Sequence, residues 1–222
     1  KKLSDAAIEM RLNCAIVGAE MDDAGAKILT SDDGQTRLRE KFDYVINATY
    51  AHYNDFCGWL GFPPRKLEYR LKEVVIARIG FPNPCAITIV DGPFVTVVPT
   101  GNDRRYTFGD VPLSIHKSHA SETNIGAMEK ELSGLSTRWN EMRTRCAPWI
   151  PAAATAEYVE SMFVILPIEQ AVDATDARPT EIVNHGSGCW SILSGKIITC
   201  VSAAKEILDH VSVAENKKFV NV

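Results

Sequence analysis

The sequence contains no Gly-x-Gly-x-x-Gly, and so lacks the turn that seats a dinucleotide diphosphate against the start of a helix. It has no Cys-x-x-Cys pair among its six cysteines (14, 57, 85, 146, 189 and 200), which removes zinc-ribbon and thioredoxin-type chemistry. No metal site is read from its five histidines either. No apolar stretch approaches the roughly 18 residues of a membrane span, and no signal peptide is visible. No basic run exceeds two neighbours and the net charge is −4, which argues against nucleic acid as a partner. Unpaired cysteines without a secretory signal fit reduced thiols in a cytoplasmic protein, several of them packed in the core.

What is present is a chain able to fold. Its 222 residues are 45% hydrophobic and 23% charged, enough for one large domain or two small ones. Phe42 to Ala48 is a near-continuous apolar run, which predicts a strand buried on both faces, as in a parallel sheet. Leu67–Ile79, Ala86–Val90, Phe94–Val98 and Tyr106–Val111 follow at short intervals between Pro, Gly, Asn and Asp turns, which predicts an antiparallel meander. Ile125, Met128, Leu132, Leu135, Trp139 and Met142 recur at helical steps and predict one helix over 121–145, capped by Ser121 or Asn124 and stopped by Pro148 and Pro151. Tyr158–Leu166 reads as another strand, and Glu181–Asn184 with Cys189–Leu193 as a hairpin. Leu3–Leu12 fits a short helix or strand. The fold class is therefore mixed, α+β and α/β: the ends, 1–60 and 175–222, read as parts of an α/β domain, and 61–174 as an inserted antiparallel sheet with a helix.

Two segments carry chemistry. In the first, the Cys189–Leu193 strand ends at Ser194-Gly195-Lys196, and Ile197–Val211 continues with helical spacing through Val201, Ala204, Ile207, Leu208 and Val211. A glycine turn that opens a helix aims N–H groups and positive potential at one spot, and Lys196 adds a full charge there. Arg178-Pro179-Thr180 places a second cation on a stiffened turn just upstream. The second segment, Asp43-Tyr44-Val45-Ile46-Asn47-Ala48-Thr49, ends a strand in small and polar residues, at the carboxyl end of a sheet where ligands of α/β folds bind.

Together these segments resemble the flavin-dependent oxidoreductases of the D-amino-acid oxidase and glycerol-3-phosphate dehydrogenase superfamily. Asp43 to Thr49 resembles the strand those proteins lay against FAD, with Tyr50 where they usually have glycine. Arg178-Pro179-Thr180 resembles their Arg-Pro turn, and Ser194-Gly195-Lys196-Ile197-Ile198-Thr199 their Gly-Lys-x-Thr-Thr turn. Asp91-Gly92-Pro93-Phe94 and the strands after it resemble the substrate-domain sheet. The resemblance implies a partial FAD-binding α/β domain (1–60 and 175–222) with an inserted antiparallel-sheet substrate domain (61–174). It implies FAD as cofactor of the complete protein, faced by Ala48, Thr49, Gly195, Lys196 and Ile197, the last three supporting negative charge on the reduced ring. The diphosphate-binding front is not in this sequence. Ala15-Ile16-Val17-Gly18-Ala19-Glu20 mimics its first residues, but Met21-Asp22-Asp23 stands in place of further glycines. The expectation is the carboxyl-terminal portion of a longer flavoprotein, its amino-terminal FAD-binding segment lying in the same or another chain, and inactive alone.

The implied reaction oxidises a C–H bond beside a hydroxyl or amine of a small substrate by hydride transfer to flavin. Arg105, Tyr106 and Arg178 are the candidate substrate contacts, an arginine in a cleft suiting a carboxylate or phosphate. Strand alternation predicts that Arg104 and Arg105 point to opposite faces, so that at most one contributes. His52 and His116 are the candidate catalytic proton handlers, with His185 a further histidine in a turn. The rival reading is a non-catalytic substrate-domain subunit that completes a partner's flavin site. A nicotinamide-dependent reductase would need the same absent fingerprint.

Overall fold

A computed structural model describes residues 8–92, 94–101, 103–120, 125–169, 179–194 and 196–220. In chain order the elements are β1 (Ala15–Met21), β2 (Lys27–Asp32), β3 (Arg37–Phe42), β4 (Val45–Asn47), α1 (Tyr53–Trp59), β5 (Leu67–Arg78), β6 (Ile87–Ile89), β7 (Val95–Pro99), β8 (Arg105–Asp110) and β9 (Ile115–His119). Then come α2 (Ile125–Leu132), α3 (Trp139–Cys146), β10 (Glu157–Glu169), β11 (Glu181–Gly186), β12 (Cys189–Leu193) and α4 (Cys200–Val220). The chain divides into two compact units, Lys1–Arg65 with Asp176–Val222, and Lys66–Thr175. The mixed α and β architecture read from the sequence is the one observed.

The first unit holds two small sheets. β1, β2 and β3 form an antiparallel meander whose turns are closed by aspartates. Asp22 accepts the Ala24 and Ala26 N–H groups, and Asp33 those of Gln35 and Thr36, the turn chemistry for which Asp is suited. The glycine-fingerprint mimic lies in β1, an edge strand of this meander. The second sheet has the order β11-β12-β4, with β12 antiparallel to β11 and parallel to β4. The parallel strand expected over 42–48 is thus shorter, and buried on one face only: Val45 and Asn47 are buried while Ile46 is exposed. Phe42 belongs to β3 instead. The chain breaks at Asp43, whose carbonyl accepts the buried Lys27 ammonium at 2.6 Å.

α4 begins after a single 3-10 turn, Ile197–Thr199. Among its described side chains the buried ones are Ala203 and Ile207, one helical turn apart, while Val201 and Leu208 are exposed; the buried face is rotated from the one its apolar periodicity predicted. Among the described residues no helix is long and apolar enough to cross a membrane. Residues 8–12 form no regular element.

The second unit is a six-stranded antiparallel sheet of order β10-β5-β8-β7-β6, with β9 also paired to β5. One face carries the core. Val75, Ala77, Ile79, Val95, Val97, Tyr106 and Phe108 pack on Trp139, Met142 and Cys146 of α3 and on Ile150, Ala153 and Ala156. Phe108 and Trp139 meet edge to face at 5.1 Å, a geometry that adds roughly 0.5–1.5 kcal/mol to simple burial. The expected meander holds for β6, β7 and β8, but β5 joins β8 and not β6. β5 is twelve residues long and central, flanked by β10, β8 and β9.

The single helix expected over 121–145 is two helices, α2 and α3, broken at 133–138. Ser133-Gly134 turns the chain, and the Glu73 side chain captures the backbone beyond this turn. Glu73 Oε2 accepts the Arg138 N–H at 3.0 Å, and Glu73 Oε1 accepts the Thr137 hydroxyl. Thr137 Oγ1 in turn accepts the Trp139 N–H at 3.1 Å as α3 begins. These bonds satisfy donors that a continuous helix would have used internally. The predicted caps Ser121 and Asn124 lie outside the described residues.

Candidate functional site

In the first unit β4 and β12 run parallel, so their carboxyl ends lie side by side, with Asn47 paired to Ser191. Asn47 is buried and fully used. Its amide donates to the Tyr53 carbonyl (3.2 Å) and Ser191 Oγ (3.1 Å), and its Oδ1 accepts the Thr49 hydroxyl at 2.6 Å. Ser191 also bonds His185 Nε2 at 2.9 Å. His185 stacks flat on Phe62, ring centroids 4.3 Å apart, and burial pushes its pKa down; it is a neutral partner of Ser191. Burial likewise pushes the Tyr53 hydroxyl and the Cys57 thiol up. This network fixes the strand ends and leaves Ala48 and Thr49 exposed at their tip.

Tyr50 comes next, with φ +56°. The left-handed conformation costs a residue with a Cβ about 1–2 kcal/mol, which accounts for the usefulness of glycine at this place. Truncating Tyr50 to alanine or to glycine removes the same ring. We expect Tyr50→Gly to be more stable than Tyr50→Ala by about 1 kcal/mol, the reverse of the usual order, as measured by denaturant unfolding of the two variants. His52 closes the next turn, with Nδ1 2.7 Å from Asp55 Oδ2.

On the β12 side, three hydroxyls close the turn into α4. Thr180 Oγ1 lies 2.7 Å from Ser194 Oγ and 2.5 Å from Thr199 Oγ1, and Ser194 and Thr199 are 3.1 Å apart. Thr199 donates to the Lys196 carbonyl at 2.7 Å. The turn therefore holds Lys196 exposed, beside Ile197 and Ile198, which are 84% and 82% exposed. A cation and two uncovered aliphatic side chains stand together at the entrance to a helix. Gly195 and Arg178 lie outside the described residues.

In the second unit His116 is enclosed. Its side chain is 6% exposed, its Nε2 is 3.0 Å from Glu73 Oε2, and the Phe163 ring meets it edge-on at 5.6 Å. Glu73, wholly buried, also accepts Ser161 Oγ at 2.6 Å. Burial alone would raise the Glu73 pKa, but the bonds from Ser161, Thr137, the Arg138 N–H and His116 together outweigh it and hold the carboxyl below its ordinary value. His116 is thus committed to a structural carboxylate, and it lies in a different unit from His52. Tyr106 is likewise a core residue, 2% exposed, its ring edge-to-face with Phe81 at 5.2 Å.

Arg105 begins β8 and is half-buried. It lines a hollow of about 240 Å³ together with Phe81, Pro82, Pro99, Asp103 and Arg104. Both arginines reach this hollow, contrary to the alternation rule. Arg104 is not extended: its φ is +54°, in the turn before the strand, so adjacent side chains need not point apart.

Glu73 and Lys27 were not singled out by their residue types. For Glu73 a signal exists: Leu67, Tyr69, Leu71, Glu73 and Val75 are buried at every second position of β5, so its carboxylate is in phase with a core stripe.

No family model matches the chain. A curated relative, the FAD-dependent monooxygenase FPY4 of Fusarium mangiferae, is 28% identical over 199 residues, covering 87% of this chain and 51% of its own length. Among solved structures, glycine oxidase from Geobacillus kaustophilus superposes with a TM-score of 0.50 at 16% identity, over 81% of this chain and 42% of that one. L-amino acid deaminase from Proteus vulgaris aligns with a TM-score of 0.47 at 14% identity, over 82% and 40%. The chain spans about half the length of the curated relative it matches. The likeness to FAD-dependent oxidoreductases seen in the motifs is therefore found again in sequence, and the fold is similar to part of the fold of that glycine oxidase.

Proposed function

We propose that the chain is part of an FAD-dependent oxidoreductase acting on a small hydroxy- or amino-substituted substrate, and that its motifs mark it as the carboxyl-terminal portion of such an enzyme. The observation that carries this reading is the turn into α4, where exposed Lys196, Ile197 and Ile198 stand at a helix entrance in a chain similar to a flavin monooxygenase. On this reading 1–60 and 175–222 serve FAD and 61–174 serve the substrate.

The residues fit the ring end of FAD. Ile197 and Ile198 offer apolar surface to a flat ring and exclude water from it. Lys196 and the N–H groups of the helix start supply positive potential where negative charge would collect. Ala48, a small residue at an exposed strand tip, permits close approach, and Thr49 is held by Asn47. The described residues around the fingerprint mimic do not fit the diphosphate: Gly18 lies within β1, paired to Thr30 of the antiparallel β2, and not in a turn that opens a helix. When bound, FAD would accept a hydride from the substrate carbon. The chain's own groups bind and position: in the second unit Arg105 offers a cation to an anionic group of the substrate, and in the first unit His52, oriented by Asp55, offers a group that handles a proton. His116 is left out of the chemistry, since its ring is enclosed against Glu73. A cytoplasmic location fits the six free cysteines.

The rival reading of a non-catalytic subunit is not favoured, because the curated relative is an enzyme whose match continues through both units. Protein expressed from the complete gene is expected to purify with the absorbance of bound flavin, or to acquire it when FAD is added. Absence of flavin under both conditions would refute the assignment.

A further inference from the structure

Arg78 and Arg105 stand directly opposite each other on β5 and β8. Opposed residues of an antiparallel pair share a face, and like charges there repel. A third guanidinium joins them from the turn before β8. The Arg104 carbonyl accepts the Ile79 N–H at 3.1 Å, tying this turn to the residue after Arg78. Among the described residues none of the three arginines has an ion-pair partner. Asp103 lines the hollow with Arg104 and Arg105 but pairs with neither. Arg105 Nε is buried and has no hydrogen-bond acceptor.

A buried donor on a cation, left without an acceptor, is costly. Here it sits opposite a like charge and beside another, which compounds the cost. An anion in the hollow would relieve both terms, accepting from the guanidinium fork of Arg105 while neutralising Arg78 and Arg104. The walls suit the remainder of such a molecule: Phe81, Pro82 and Pro99 are apolar and stiff. The volume, about 240 Å³, falls below the roughly 300–1,000 Å³ of pockets for drug-sized ligands, so the ligand is small.

We propose that this hollow binds the anionic group, carboxylate or phosphate, of a small molecule, with Arg105 as the contact and Arg78 and Arg104 as flanking charges. The role of that molecule as substrate rests on the function proposed above; its binding does not. Arg78 carries no signal of its own in the sequence, because only the strand register brings it to Arg105.

The test titrates the full chain with inorganic phosphate, and separately with acetate, following the arginine Nε–H signals by nuclear magnetic resonance at low ionic strength. A saturable shift at Arg105 is expected, and the tighter of the two anions identifies the ligand group. Arg105→Gln should weaken binding about tenfold or more, and Arg105→Lys should restore part of it. Arg78→Glu should weaken binding while raising the melting temperature, since it places opposite charges across the two strands; a fold defect would move both quantities downward. No saturable shift with either anion, or wild-type affinity retained in Arg105→Gln and Arg78→Glu, overturns the proposal. Flavin is read independently by absorbance. Flavin bound without anion binding sinks this inference alone, and anion binding without flavin sinks only the functional reading.

Discussion

Replacing Gly188 with alanine should destabilise the first unit by roughly 2–5 kcal/mol, combining left-handed strain with overpacking. Gly188 closes the β11–β12 hairpin at φ +75°. A Cβ there would lie 2.7 Å from the Asp43 carbonyl oxygen, 2.9 Å from Lys27 Nζ and 2.9 Å from the Tyr44 ring. None of these can withdraw freely. The Asp43 carbonyl is the acceptor for the buried Lys27 ammonium, and Gly188 itself accepts the Val45 N–H at 3.0 Å. Moving the hairpin away would therefore break the Val45–Gly188 bond and loosen the start of β4, the strand that ends at Ala48. Denaturant unfolding of Gly188→Ala, followed by fluorescence of the buried Trp190 on β12, should show an earlier midpoint. A midpoint unchanged within error would mean that the hairpin shifts without resistance. Glycines 25 and 34 also have positive φ, but a Cβ on either meets nothing within 4 Å, so alanine there should cost only the conformational part.

Glu73→Ala should cost the second unit about 3–5 kcal/mol, the range for removing one member of a buried charged network. Four donors lose their acceptor together: Ser161, Thr137, the Arg138 N–H and His116. The effect is tied to pH with a definite sign. The folded-state pKa of Glu73 is lowered from 4.5, so its contribution is fully present above the unfolded value and is lost as pH falls through the lowered folded one. The wild-type chain should lose second-unit stability in acid below about pH 4.5. Glu73→Gln, which cannot titrate, should start less stable at neutral pH and show a flatter acid limb. Circular dichroism across an acid titration checks both. Parallel acid limbs in the wild type and Glu73→Gln would show that another carboxylate governs the loss.

Much of the architecture was legible because its signals are local. Short apolar runs between Pro and Gly turns placed β6, β7 and β8, and the Cys189–Leu193 run placed β12. The breaks in prediction came where a distant side chain overrides a local pattern. The periodicity of Ile125, Met128, Leu132, Leu135, Trp139 and Met142 is real, yet the chain turns after Leu132, and Glu73, 65 residues upstream, takes the Arg138 N–H where α3 begins. Likewise β5 pairs with β8 because the sheet closes around a long central strand, a choice that no window of adjacent residues contains. At the candidate site the strand tip of Ala48 and Thr49 and the cation of Lys196 were readable from strand–turn patterns. The enclosure of His116 and of Tyr106 was not, since burial depends on strand phase and on what covers the sheet. The approach of Arg104 to the Arg105 hollow was missed for a simpler reason: the alternation rule assumes extended backbone, and Arg104 is not extended.

The turn at the entrance to α4 differs in kind from the anchor of the second unit. Thr180, Ser194 and Thr199 form a closed ring of hydroxyls, each within reach of the other two. None of them titrates in water at ordinary pH, and none is charged. The second unit hangs on a carboxylate that acid can neutralise. The surface formed by Lys196, Ile197 and Ile198 is therefore held by a latch indifferent to protons and to salt, and it should keep its local shape under mildly acidic conditions that begin to loosen the sheet around Glu73.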